Sequence, residues 1–148
     1  MNLPEKIGTI LKSKGRQVWS VPPTASVFEA IEAMAEKQVG ALPVMEGDKL
    51  VGIISERDYA RKIILMGRSS RETPVTEIMS SPVLTVTPEN TIGECMVIIT
   101  EHRIRHLPVV DHDRVVGVVS IGDLVNWIIS VQQETIKHLE SYITGIAS

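Results

Sequence analysis

The sequence predicts a mixed α/β (α+β) fold: two tandem β-α-β-β-α repeats packed with pseudo-two-fold symmetry, flanked by N- and C-terminal helices. Three observations carry this. Leu42-Pro43-Val44 returns as Leu107-Pro108-Val109, and Val51-Gly52 followed by Ser55 and Asp58 returns as Val116-Gly117 followed by Ser120 and Asp123, each at an offset of 65 residues. Upstream, Val18/Val83, Val21/Val86, Pro23/Pro88, Glu29/Glu94 and Glu36/Glu101 keep the same register without a gap. One unit of roughly 60 residues is marginal at burying its own apolar faces, so the two copies should form one body.

Leu3 to Lys14 reads as a leading helix. A short β-prone stretch follows in each copy, Val18 to Val21 and Val83 to Val86, and ends at a proline-marked turn. Ser26-Val27-Phe28-Glu29 and Thr91-Ile92-Gly93-Glu94 then read as capping boxes, in which hydroxyl and carboxylate satisfy each other's amide donors. Val27, Ala30, Ile31 and Met34 recur at helical spacing, which predicts a helix to about Lys37; Ile92, Cys95, Met96 and Ile99 repeat it. Two apolar strands follow, Ala41 to Met45 and Leu50 to Ile54, joined by the turn-forming Glu46-Gly47-Asp48-Lys49; Leu107 to Val110 and Val115 to Val119 are their copies. Second helices are expected from Glu56 and Ile121, the last extending past Val131 toward Tyr142. The polar segment Gly67 to Pro74 joins the units, which divides the chain into 1–72 (leading helix and first repeat) and 73–148 (second repeat and C-terminal helix).

Composition narrows the function. The 148 residues are 43% hydrophobic, enough for a core, and 15 Lys+Arg against 18 Asp+Glu give a net charge of −3, which argues against broad nucleic-acid binding. A bound anion must therefore be held locally. The single cysteine, Cys95, excludes an internal disulfide and an all-thiolate metal cage, and on the apolar stripe of its helix it reads as structural. No apolar run approaches the ~18 residues a bilayer requires, and Met1 to Lys6 begins neither a signal nor a transit segment, so the expectation is a cytoplasmic protein without membrane contact. His102 and His106 have helical metal-ligand spacing but straddle a helix-to-strand transition, where residues four apart no longer share a face, so no metal is expected. There is no phosphate loop with its lysine, no Gly-x-Gly-x-x-Gly, no nucleophile elbow and no zinc signature, so no catalysis and no catalytic cofactor are expected.

Strands of the form Leu-Pro-Val, then Val-Gly-x-x-Ser-x-x-Asp opening a helix, duplicated in tandem, resemble a pair of cystathionine-β-synthase (CBS) domains, the arrangement called a Bateman module. Ser55-Glu56-Arg57-Asp58-Tyr59, Gly67-Arg68-Ser69-Ser70 and Arg103-Ile104-Arg105-His106-Leu107-Pro108-Val109 are further similar to small stand-alone CBS-pair proteins of bacteria and plant mitochondria. The resemblance implies a regulatory module that binds adenosine nucleotides between the repeats, as a sensor of energy or redox state, and signals to a partner protein that the sequence does not name. It also implies a disc-shaped homodimer. The ribose-holding aspartate of the family carries over to Asp58 and Asp123, and the preceding hydroxyl to Ser55 and Ser120.

Elementary chemistry agrees. A helix N-terminus presents unpaired amides and partial positive charge, which favours phosphate, and a carboxylate can accept from two adjacent ribose hydroxyls at once. Apolar strand faces near Val18, Ala41, Val83 and Ile104 suit a purine, and Arg105 and His106 suit phosphate. Arg57 and Arg61, ordinary as exposed helix arginines, and Pro43 and Pro108 of the Leu-Pro-Val strands complete the candidate set. The plain reading of Ser-x-x-Asp is a helix cap, but both copies keep the whole Gly-x-x-Ser-x-x-Asp string where a generic cap tolerates other residues. Because the second copy has Arg103, Arg105 and His106 where the first has Gln38, Gly40 and Ala41, the clefts should differ. One should favour AMP, ADP, ATP or NAD, with cationic S-adenosylmethionine disfavoured at a basic rim. The rival function is a ligand-independent protein-interaction scaffold. Apolar residues surround most of the segment Leu124 to Val131, more than one small domain buries on one face, which predicts a homodimer anchored at Trp127.

Overall fold

The computed structural model describes residues 3–15 and 17–144; Met1 and Asn2, at the start of the segment read above for targeting signals, lie outside them. In chain order the elements are helix α1 (Ile7–Lys14), helix α2 (Val27–Lys37), strands β1 (Ala41–Glu46) and β2 (Lys49–Ser55), helix α3 (Glu56–Tyr59), helix α4 (Ile92–His102), strands β3 (His106–Asp111) and β4 (Arg114–Ser120), and helix α5 (Ile121–Thr144). Strands β1 and β2 pair antiparallel, as do β3 and β4, and both hairpins have a bulge at the same place, Val44/Met45 and Val109/Val110. The second hairpin turns on His112 and Asp113, both at positive φ (50° and 63°), the backbone that a two-residue hairpin loop requires.

The strands expected at Val18 to Val21 and Val83 to Val86 shrink to single parallel bridges, Val21 to Val44 and Val86 to Val109. Each bridge residue donates to a proline carbonyl (Val21 to Pro43, 3.1 Å; Val86 to Pro108, 3.0 Å) and accepts one amide in return. In the first copy Pro22, which has no amide to donate, follows at once and stops the ladder.

Two apolar clusters form the core. The first joins Val27, Ala30 and Met34 of α2 to Leu42, Val44 and Ile54 of the hairpin. The second repeats it with Ile92, Cys95 and Ile99 of α4 and Leu107, Val109 and Val119. Leading segments are exchanged between the clusters. Helix α1, which precedes the first repeat, buries Ile7 and Ile10 in the second cluster, while Val75 and Ile78, just ahead of the second repeat, are buried in the first. Backbone bonds fix both: Ile7 donates to Asn90 (2.8 Å) and Ile92 to Glu5 (2.8 Å), as Val75 donates to Ala25 (2.9 Å) and Val27 to Thr73 (2.8 Å).

Capping follows the sequence closely. Thr91 and Glu94 form a complete capping box, whereas Ser26 accepts from the Glu29 amide but its own amide is not bonded to the Glu29 carboxylate, a half box. Helices α2 and α4 end on left-handed residues, Gln38 (φ 57°) and Arg103 (φ 53°), again one repeat apart. The second helices differ. Helix α3 is one turn that widens into a π turn over Ala60–Ile64, while α5 runs for 24 residues and absorbs the expected C-terminal helix. No helix among the described residues is long and apolar enough to cross a membrane.

Candidate functional site

Each Ser-x-x-Asp element sits where its hairpin's second strand passes into a helix, so the strand fixes the serine and the first helical turn aims the aspartate. Asp58 Oδ2 accepts from the Ser55 amide (2.9 Å) and hydroxyl (3.0 Å), and the Asp58 amide donates back to Ser55 Oγ (3.2 Å). Asp123 Oδ2 accepts from the Ser120 amide (2.8 Å), and its own amide donates to Ser120 Oγ (3.1 Å). Both aspartates are thus helix caps, and in each case this work falls on Oδ2.

Two clefts lie between the repeats. The Asp58 cleft, about 580 Å³, is lined by Ser55, Arg57, Asp58 and Arg61 from the first repeat and by Val83, Ile104 and Arg105 from the second. The Asp123 cleft, about 410 Å³, combines Ser120 and Asp123 with Val18 and Ala41 of the first repeat. The fold therefore brings each aspartate to the apolar residues of the opposite copy. Val18 with Ala41, and Val83 with Ile104, do share a cleft. His106 lines both clefts, facing Gly40, where a Cβ would come 3.1 Å from His106 Nε2; a bare backbone is what lets the imidazole lie there. Pro43 and Pro108 line neither cleft: they are buried, and their carbonyls hold the Val21 and Val86 bridges.

Charge separates the clefts as the sequence suggests. Arg57, Arg61, Lys62, Arg103 and Arg105 surround the Asp58 cleft against two carboxylates, Glu56 and Asp58. Among the described residues, the Asp123 cleft has Lys14 and Lys37 against Asp123. Lys62 Nζ approaches Asp58 Oδ1 at 3.3 Å and donates to the Ile78 carbonyl (2.8 Å). Lys14 Nζ donates to Asp123 Oδ2 (2.7 Å) and to the Val118 carbonyl (2.9 Å). Burial pushes the Asp123 carboxyl upward, but the bonds from Lys14 and Ser120 outweigh it, and the group sits below the ordinary carboxylate range. Burial lowers His106, Lys14 and Arg105 lower it further, and Asp123 and Asp58 oppose them.

Sequence reasoning missed Lys14, Lys62, Trp19 and Lys37. Trp19 lines the Asp123 cleft with Lys37 Nζ 4.2 Å above its ring, and its repeat partner Leu84 lines the other cleft. Their place beside the Val18/Val83 pair was a usable signal. Lys14 lies upstream of the matched repeats, and nothing local marks it. Trp127, expected as the anchor of a homodimer, is partly buried and packs against the second cluster. Its neighbours Val125 and Ile129 are the exposed ones.

The family model for the CBS domain matches residues 14–65 and 75–130. The chain is 40% identical over 149 residues to the mitochondrial CBS domain-containing protein CBSX3 of Arabidopsis thaliana, covering 94% of this chain and 72% of that one. Its fold is similar to that of a protein with CBS domains from Burkholderia ambifaria MC40-6, assigned to signal transduction by name: TM-score 0.81, 48% identity, 84% of this chain and 94% of that one. A hexameric CBS-CP12 protein from bloom-forming cyanobacteria is similar at a TM-score of 0.73 and 28% identity, covering 81% of this chain and 69% of that one. With the repeat, the exchanged leading segments and the paired clefts in place, the chain belongs to the CBS-domain family, as a tandem pair of the regulatory, signal-transducing kind.

Proposed function

We propose that the protein is a sensor of adenosine nucleotides, AMP, ADP, ATP or NAD, whose principal site is the Asp58 cleft and which passes ligand state to a partner protein without catalysing a reaction. The observation that carries this reading is the convergence, in one cleft drawn from both repeats, of a half-buried carboxylate whose Oδ1 is outside the cap and paired with Lys62, apolar walls and five cationic side chains. Asp58 Oδ1 accepts from the ribose hydroxyls while Oδ2 keeps its cap, so capping and ligation are combined. Val83, Leu84 and Ile104 cover the purine faces. Arg57, Arg61 and Arg105 take the phosphates, by the forked geometry that suits arginine to phosphate oxygens. This concentrates positive charge on a chain of net charge −3, as local anion binding requires. The same reading places the module in the cytoplasm, as a homodimer.

Thermal unfolding with and without AMP, ATP and NAD tests the site. A ligand at about a hundred times its dissociation constant stabilises by roughly 2.7 kcal/mol, a rise of several degrees. Asp58→Ala is expected to abolish most of that rise and to lower the ligand-free midpoint only by the loss of a cap, about 1 kcal/mol. A full rise in Asp58→Ala would remove the ribose assignment, and indifference to all three nucleotides would favour the scaffold.

A further inference from the structure

Among the described residues, Gly40 and His106 are the ones common to both clefts. They are not repeat equivalents: Gly40 corresponds to Arg105, and His106 to Ala41. The two junctions are otherwise built alike, since the Gly40 carbonyl accepts from the Glu56 amide (3.0 Å) and the Arg105 carbonyl from the Ile121 amide (2.9 Å). His106 then opens β3 opposite Ser120, whereas Ala41 opens β1 with only a methyl group. One imidazole therefore stands between the clefts, where strict symmetry would supply two side chains or none. The bare Cα of Gly40 gives it room, because a Cβ there would lie 3.1 Å from Nε2.

Charge reaches His106 from several elements. Burial and the cations Lys14 of α1 and Arg105, its neighbour along the chain, hold the ring toward its neutral form, while Asp123 of α5 and Asp58 of α3 oppose them. Glu56 Oε1 lies 3.7 Å from the same point above Gly40.

We propose that His106 couples the two clefts through one shared proton: a phosphate-bearing ligand in either cleft draws a proton from solvent onto the imidazole, and the imidazolium tightens the hold of the other cleft on a second anion. This rests on the nucleotide reading above and extends it from one cleft to the pair. Both clefts carry the Ser-x-x-Asp carboxylate and cations, so both take the same class of ligand. The coupling is positive because the first ligand bears the cost of protonation and the second finds the ring already charged. Linkage fixes its pH dependence. It is greatest where the half-occupied protein titrates; it vanishes in acid, where the ring is charged before any ligand binds, and in alkali, where it stays neutral throughout.

Proton NMR of the imidazole resonances of the full chain tests this, with AMP, ATP and NAD as probes and His106 assigned by its loss in His106→Gln or His106→Asn. The nucleotide that binds is expected to raise the His106 midpoint by about one pH unit for each cleft it fills. Asp58→Ala and Asp123→Ala, each left with one intact carboxylate, should both show the single step, and the wild type both steps. Calorimetric titration at about pH 6.5 should show two sites, the second tightened about threefold by the first, with the coupling lost at about pH 4.5 and in His106→Gln. A His106 midpoint that a bound nucleotide leaves unmoved, or moves from one cleft only, overturns the coupling and leaves nucleotide binding standing. Coupling that survives in His106→Gln does the same. No binding of any of the three nucleotides by the wild type overturns the nucleotide reading and the coupling together.

Discussion

Asp58 commits Oδ2 to the Ser55 amide and hydroxyl and holds Oδ1 against Lys62, and the string that places it was legible because it occurs twice. His106 was legible only as a basic residue ahead of a strand, and its position against both clefts depends on the opposite repeat. Burial, reinforced by Lys14 and Arg105, holds its pKa below the ordinary value, with Asp123 and Asp58 opposing. The unfolded chain therefore binds the proton more readily. The stability His106 contributes is present above the ordinary imidazole range, about pH 6.5, and is lost as pH falls through the folded value. The unfolding midpoint is expected to drop on acidification from about pH 7.5 to 5.5, and less steeply in His106→Asn; equal slopes in a pH series would refute this. Cys95 is fully buried, and burial, with Glu94 adding to it, pushes its thiol up to about 11. It is expected to resist alkylation at about pH 8 in the native protein and to react only as the chain unfolds, its rate tracking denaturant concentration.

Among the elements, helices α2 and α4 and both hairpins fall within a residue or two of their expected bounds, because period, caps and turn residues agree locally. The leading strands failed to extend because proline and a single bridge leave nothing to propagate. The role of α1 was not legible, since its burial lies against residues far along the chain. Ile10 is 3% exposed inside the second cluster, so Ile10→Ala is expected to cost about 2–4 kcal/mol in denaturant unfolding, although it precedes the first repeat. A loss under about 1 kcal/mol would mean that α1 is only loosely docked. Gly117 has the matching constraint: a Cβ there would lie 2.6 Å from Leu11 Cδ2, so Gly117→Ala should destabilise and Leu11→Ala should relieve part of the loss.

For the whole molecule, α5 has one face on its own core, through Leu124, Trp127 and Ile128, and a second apolar face in solvent. Val125, Ile129, Ile136, Leu139 and Ile143 are all exposed and recur at intervals of three, four and seven, a seam suited to a second copy. Ile64, Leu65 and Met66, at the end of the shorter helical segment of the first repeat, are exposed as well. Light scattering is expected to give twice the 16.3 kDa chain mass, and Ile129→Asp to return it to one chain with little loss of helix content. A single-chain mass for the wild type at every concentration would remove the homodimer from the reading.

Spacing along the chain is enough to read the duplicated unit, its elements, the capped Ser-x-x-Asp strings and the unequal basicity of the two copies. Packing alone settles which residues face one another: that leading segments are exchanged between cores, that Trp127 packs against the second core, that Arg57 and Arg61 join Arg105 in one cleft, and that Lys14 reaches Asp123. The reason is physical. A cap or a periodic face is set by bonds and contacts within a few residues, whereas a contact such as Lys14 to Asp123 spans 109 residues and exists only once two cores have packed.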